Sequence, residues 1–275
     1  MSQFELPADR PAIMGILNVT PDSFSDGGLY QSRQAAIAHA LSMRDQGADV
    51  IDIGGESTRP GAAPVEAEVE IARTIPVVTE LANRGIPVSI DTSKAAVAKA
   101  AIEAGAHIVN DVTALSDPAM AELCNLSGCT VCLMHMQGTP RTMQLAPAYQ
   151  DVVAEVLTFL LQRARRLALP KEQIWIDPGI GFGKTTEQNL ALIRATDVFV
   201  ASGYPVLVGI SRKSFLGRIL GTETEPAPLE ERLEGSLVLA AQAQLAGARI
   251  LRVHDVAATR RAVRVTQAFR NQQPI

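Results

Sequence analysis

The sequence predicts an α/β protein built as one (β/α)8, or TIM, barrel. Three observations carry the prediction. Short apolar runs with the length of buried strands alternate with helical patterns, and eight such pairs can be counted. The repeat is about 30 to 40 residues, near what one βα unit needs. No linker or shift in composition divides the 275 residues, so residues 1–275 read as a single domain. An open doubly wound sheet would more often use about six units, with G-x-G-x-x-G after the first strand. Here Asn18-Val-Thr-Pro21 stands at that point.

The units follow in order. Ile13–Val19 is the first strand, interrupted near its end by Asn18, and a polar loop with Pro21, Phe24 and paired glycines follows it. Ser32–Gln46 has helical spacing and stops at Gly47. Ala48–Ile53 is the second strand and runs into the glycine-rich loop Gly54–Gly61, which holds Arg59. A helix over Val65–Arg84 contains Pro76, which should kink or split it. Ile86–Asp91 is the third strand, with Thr92 or Ser93 able to cap the helix Lys94–Ala104. His107–Val112 and Thr130–His135 are strands four and five, separated by a short helix opened by Asp117-Pro118. Asp151–Leu167 is amphipathic, Gln173–Asp177 is the sixth strand, and Thr186–Ala201 is helical. Tyr204–Ile210 is the seventh strand, followed by Ser211-Arg212-Lys213-Ser214 and a helical stretch. Glu230–Ala246, the strand Arg249–Asp255 and the helix Ala257–Phe269 close the series.

Composition narrows the function. At 47% hydrophobic and 20% charged, the chain can bury a large core. A net charge of −4 argues against general nucleic-acid binding, so any anion site must be local. No run is long enough for a membrane span and no secretory signal opens the chain, which makes cytoplasm the expectation. Cys124, Cys129 and Cys132 do not form a disulfide framework, and Cys132 lies in an apolar run, so they read as core.

In such a barrel the strand C-termini share one face, where chemistry sits. The expected gathering is Asn18, Asp52, Asp91, Asn110, His135, Asp177, Lys213, Arg252 and His254. Carboxylates and amides suit a heterocycle with N–H groups and ring nitrogens. Arg59, Lys213, Arg252 and His254 suit a phosphate or carboxylate. Asn18, Asp22 and Asp26 supply hard oxygens of the kind a hydrated magnesium takes. The set describes a small substrate with a polar ring and an anionic tail. Asp52 and Asp111 read as satisfying backbone groups near strand ends. Gly183-Lys-Thr185 ends like a phosphate loop, but Pro178 occupies the place of the first required glycine. Lys213 could also serve as a Schiff-base lysine, although no neighbouring motif supports an aldolase.

Eight segments carry a resemblance. They are Asn18–Gly28, Asp52–Gly61, Ser89–Thr92, Asn110–Val112, Leu133–Gly138, Asp177–Lys184, Ser211–Ser214 and Arg252–Asp255. With these the chain resembles the bacterial dihydropteroate synthases along nearly its whole length. The resemblance implies condensation of 6-hydroxymethyl-7,8-dihydropterin pyrophosphate with p-aminobenzoate, giving 7,8-dihydropteroate and pyrophosphate. It also implies a homodimer, a Mg2+ cofactor and inhibition by sulfonamides. By the family pattern Asp91, Asn110, Met134, Asp177 and Lys213 would bind the pterin. Phe24, Thr58, Arg59, Pro60, Phe182 and Ser214 would bind p-aminobenzoate. Asn18, Arg59, Arg252 and His254 would hold pyrophosphate, with Asn18 also a metal ligand. Catalytic roles would fall to Asp26, Lys213, Arg252 and His254. Two other readings share the barrel. One is a pterin-binding methyltransferase relative, the other a non-catalytic paralogue.

Overall fold

The computed structural model describes residues 4–20, 28–57, 63–139, 142–143 and 147–271. Within them, eight parallel strands form one sheet in the order β6-β5-β4-β3-β2-β1-β8-β7. The strands are β1 (Ala12–Asn18), β2 (Val50–Gly54), β3 (Val88–Asp91), β4 (Ile108–Asp111), β5 (Thr130–Met134), β6 (Ile174–Asp177), β7 (Leu207–Val208) and β8 (Ile250–Val253). A parallel bridge between Ile176 and Val206 brings the two edge strands together, so the barrel is nearly closed. The expected barrel is therefore present, with its helices outside.

Strand register decides what fills the barrel. Side chains alternate across a strand, so partners in the ladder share a face. Met14 pairs with Val50 and Arg252, Gly54 with Asp91, Asp91 with Asn110, and Met134 with Asp177. The lower interior is apolar: Ala12, Met14, Val50, Ile108, Cys132, Trp175, Leu207 and Ile250 form one cluster. Phe4 packs edge-on to Trp175, and Arg249 donates to the Pro7 carbonyl, so the N-terminal segment covers the bottom. The upper interior is polar. The opposite, outward faces of the strands build the main core with the helices. All three cysteines are buried and free, as a structural role requires.

The helices are α1 (Gly28–Asp45), α2 (Ala67–Asn83), α3 (Ala95–Glu103), α4 (Pro118–Ser127), α5 (Val152–Ala164), α6 (Thr186–Arg194), α7 (Thr196–Val200), α8 (Ser214–Leu220), α9 (Leu233–Leu245) and α10 (Val256–Asn271). Local chemistry accounts for several of their ends. Asp117 caps α4 with Pro118 following it, Asp151 caps α5, and Thr185 with Gln188 makes a capping box on α6. Four expectations need correction. Pro76 does not split α2, which runs unbroken through it. The helix expected over Thr186–Ala201 breaks at Ala195, which closes α6 and opens α7. The expected seventh strand has a ladder of only two residues, because Pro205 lacks a donor and the chain turns away after Val208. The helix expected from Glu230 starts as a 3-10 turn, and its α-helical part begins at Leu233. The α3 cap is shared. Thr92 Oγ1 accepts from the Lys94 N–H, while Asp117 from the next loop accepts the Ala95 N–H at 2.8 Å. No helix among the described residues is long and apolar enough to cross a membrane.

Candidate active site

The polar upper layer of the barrel centres on Arg252 of β8. Its guanidinium donates at 2.6 Å to Asp52 Oδ2 of β2 and at 2.6 Å to Asp91 Oδ2 of β3. Asn110 of β4 donates to the same Asp52 oxygen at 3.1 Å. Asp52, Asp91 and Asn110 are all buried, and Asp52 Oδ1 and Asp91 Oδ1 have no partner. One cation thus serves two carboxylates. Burial pushes the Asp91 carboxyl up to about 7, and nearby Asp52 and Glu70 add to that rise. The shared Arg252 charge opposes it without cancelling it. Buried polar atoms left unpaired are costly, so this layer is shaped to be completed by a ligand.

A second group lies across the mouth on β6 and the turn before α8. Asp177 ends β6, and its Oδ1 accepts the Gly179 N–H at 2.7 Å. Burial raises its carboxyl, while Gly179 and the surrounding cations pull it back. Lys213 stands at the N-cap of α8 with Nζ 3.9 Å above the Phe182 ring. Burial lowers its ammonium to about 8, against the pull of Asp177 and Asp91. Gly181 makes room for it. Its φ is +85°, and a Cβ there would meet Lys213 Cδ at 3.0 Å. Met134 and Phe182 join Val112 and Met143 in an apolar patch that walls this side. Ser214, the first residue of α8, is exposed.

The third group is an imidazole. The His254 backbone N–H donates to Ser211 Oγ at 3.1 Å, and its Nδ1 lies 3.1 Å from the same oxygen. Burial, with Arg252 and Arg212 nearby, lowers His254 to about 4. The ring is therefore neutral near pH 7.

Asn18 ends β1, opposite Gly54 in the ladder. A methyl group at Gly54 would sit 3.7 Å from Asp91 Oδ2 and 3.8 Å from Asn18 Oδ1. Asn18 Oδ1 and Asp91 Oδ2, the latter already accepting from Arg252, therefore flank the open face of Gly54.

A pterin-binding enzyme model matches residues 14–254. The chain belongs to the pterin-binding enzyme family. Its relatives within that family are dihydropteroate synthases. It is 48% identical over 267 residues to dihydropteroate synthase of Escherichia coli (strain K12), covering 96% of this chain and 93% of that one. The Yersinia pestis dihydropteroate synthase solved in a sulfonamide drug complex superimposes with a TM-score of 0.89 at 43% identity, covering 98% of this chain and 97% of that one. The Xanthomonas albilineans enzyme in complex with 7,8-dihydropteroate gives 0.85 at 43% identity, covering 96% and 95%.

For a pterin-binding enzyme, the sequence located most of this mouth. Asn18, Asp91, Asn110, Met134, Asp177, Phe182, Lys213, Ser214, Arg252 and His254 lie on the strand ends and loops of one barrel face. Phe24, Asp26, Thr58, Arg59 and Pro60 lie outside the described residues. Asp52, expected to satisfy backbone groups, is instead the fully buried anchor of Arg252. The alternation of β2 held that signal, since Asp52 lies two residues before Gly54 on the same face. Arg212 and Lys213 are adjacent cations in the sequence. The structure separates them. Arg212 has φ +58° and turns out to make a bidentate pair with Asp255, with contacts of 2.8 and 2.5 Å. Only Lys213 enters the barrel. His135 leaves the mouth as well. Its ring stacks edge-on to Phe159, and its Nδ1 lies 3.0 Å from Lys184 Nζ.

Lys184, read only as part of a false phosphate loop, organises the turn that carries Phe182. Its buried ammonium donates to the carbonyls of Gly179 and Phe182 at 2.9 Å and of His135 at 3.3 Å. Gly179 must be glycine for this turn. Its φ is +69°, and a Cβ would fall 1.8 Å from the His135 carbonyl oxygen.

Proposed function

We propose that this chain is a dihydropteroate synthase, joining 6-hydroxymethyl-7,8-dihydropterin pyrophosphate to p-aminobenzoate with release of pyrophosphate. One observation carries the reading. A ring-binding set (Asp91, Asn110, Asp177 and Lys213) shares a barrel mouth with an anion-binding set (Arg252 and His254), in a chain of this family. A methyl-transfer relative would have no use for Ser211–Ser214 or Thr58–Pro60, and both segments are intact in the sequence.

The residue types account for the reaction. The carboxylates of Asp91 and Asp177 accept ring N–H groups, and the Asn110 amide both donates and accepts. Lys213 donates to a ring oxygen or nitrogen, and its cation rests on Phe182. Met134 and Phe182 give the ring and the aminobenzoate an apolar wall. The bond from the pterin methylene carbon to the pyrophosphate oxygen breaks with its electrons leaving on oxygen. The electron-rich ring spreads the resulting positive charge, which the two aspartates favour. Arg252 and His254 stabilise the departing pyrophosphate. The aminobenzoate nitrogen attacks the methylene carbon and then loses a proton. It is uncharged at neutral pH, so no strong base is needed. Asp26 is assigned to assist, and Phe24, Thr58, Arg59, Pro60 and Ser214 to hold p-aminobenzoate. Arg59 is also assigned to the pyrophosphate.

Mg2+ fits the donor set. Magnesium keeps most of its waters and takes one or two protein oxygens plus substrate phosphates, and Asn18 Oδ1 with the space over Gly54 meets that need. Asn18 would hold it, and when bound it would neutralise charge on the leaving group. We further assign sulfonamides as inhibitors, since they mimic p-aminobenzoate. We also assign a homodimer, to which exposed Val238 and Leu245 on α9 and exposed Val265 and Phe269 on α10 offer apolar side chains for a second copy to cover.

The test is pyrophosphate release from the pterin pyrophosphate in magnesium buffer, with and without p-aminobenzoate. Release dependent on both substrates, with dihydropteroate formed, is expected. Pterin binding without aminobenzoate-dependent release would overturn the assignment.

A further inference from the structure

We propose that Ser211 is a positioning residue that fixes His254 as its Nε2–H tautomer, so that a neutral imidazole offers an N–H to the leaving pyrophosphate. The inference rests on the proposed reaction for its ligand and on hydrogen-bond bookkeeping for its geometry. A serine hydroxyl has one proton and two lone pairs. One lone pair of Ser211 Oγ takes the His254 backbone N–H at 3.1 Å. The proton has one acceptor within reach among the described residues, His254 Nδ1 at 3.1 Å. Were Nδ1 to carry the hydrogen, Ser211 would accept twice and its own buried proton would have no acceptor, an arrangement folded proteins avoid. The hydroxyl therefore donates to Nδ1, and the ring hydrogen sits on Nε2.

The surroundings agree. Burial first, and then Arg252, Arg212 and Lys213, disfavour an imidazolium, and the neighbouring Asp255 carboxylate opposes them without prevailing. The positive charge a pyrophosphate needs is assigned to Arg252 and Arg59, so His254 adds a directed donor instead of a third cation. The leaving group departs as an anion and needs no proton on its oxygen. A neutral imidazole N–H that donates without transferring suits that step. The two segments are also locked in register. Arg212, next to Ser211, is paired bidentately with Asp255, next to His254. The left-handed backbone at Arg212 turns its side chain out while Ser211 faces in.

The test is a long-range proton–nitrogen correlation spectrum of the full chain with 15N-labelled histidine at pH 7, with and without inorganic pyrophosphate. His254 is expected to show protonated Nε2 and unprotonated Nδ1. Ser211→Ala should lose that pattern and raise both the inhibition constant of inorganic pyrophosphate and the KM for the pterin pyrophosphate about tenfold, the loss of about one hydrogen bond to a charged ligand. Affinity for the pterin alcohol lacking pyrophosphate should stay within about twofold, and Ser211→Thr should restore both values. A wild-type His254 found with protonated Nδ1, or as an imidazolium, would overturn the proposal. So would Ser211→Ala with unchanged tautomer and pyrophosphate affinity. Should Ser211→Ala not fold, the wild-type spectrum and Ser211→Thr decide. The spectrum does not depend on turnover, so failure to form dihydropteroate would count against the reaction and leave the tautomer assignment standing.

Discussion

Replacing Lys184 with methionine isolates the cost and use of a buried ammonium. Lys184 is 2% exposed and donates to the carbonyls of Gly179 and Phe182, with His135 Nδ1 3.0 Å away. Methionine keeps the unbranched shape and removes the donors. Each orphaned acceptor costs about 1–3 kcal/mol, so these three cost about 3 kcal/mol at the low end. The difference should also depend on pH. Burial lowers Lys184 from the ordinary value near 10.5 to about 7. Below pH 7 both the folded and unfolded states hold the proton, and the folded state bears the full cost of the buried charge. Above pH 7 the folded state releases the proton while the unfolded state keeps it, so stability climbs by about 1.4 kcal/mol per pH unit. From pH 7 to 9 the wild type should gain about 3 kcal/mol over Lys184→Met. Titratable groups that do not interact with Lys184 cancel in that difference. Urea unfolding of both proteins at pH 6, 7, 8 and 9 measures it. A deficit that stays constant from pH 7 to 9 would refute the lowered ammonium, and no deficit at any pH would refute the role of Lys184 in the turn.

Four further outcomes are expected. Lys213→Ala should weaken pterin binding and nearly abolish turnover, a fall in kcat/KM on the order of a hundredfold or more; wild-type turnover would remove Lys213 from the site. Lys94→Met should lower the unfolding free energy by about 3–5 kcal/mol, because Glu70, 0% exposed and 2.7 Å from Lys94 Nζ, would lose its counter-ion; the double variant with Glu70→Gln should recover part of the loss in urea unfolding. His135 is held down at about 3 by burial and then by Lys184, so between pH 6.5 and 3 the unfolded state binds its proton and the folded state does not. Stability from this group should fall by about 1.4 kcal/mol per pH unit over that window, and His135→Asn should remove that slope; identical slopes would show that His135 stays protonated in the fold. Removing divalent metal with a chelator should stop pyrophosphate release, with added Mg2+ restoring it; undiminished release in chelator would dismiss the magnesium assignment.

Much of the barrel and its mouth was legible in the chain. A parallel strand covered on both sides must be an apolar run, and its polar end must lie where the run stops. Asn18, Asp91, Asn110 and Asp177 stand at such ends, so their common face followed from the fold class alone. What the sequence could not decide was direction and pairing. Arg212 and Lys213 are neighbours of like charge, yet one backbone angle sends them to opposite sides. Asp52 and Arg252 are 200 residues apart and meet because only β1 lies between their strands in the sheet. Lys184 and His135 sit beside mouth residues and turn away from the substrate, because the carbonyls of a tight turn are satisfied only by a buried donor. Local pattern fixes which residues are buried and where each strand ends. Which buried charges meet is set by strand order and loop dihedrals, and those exist only once the barrel has closed.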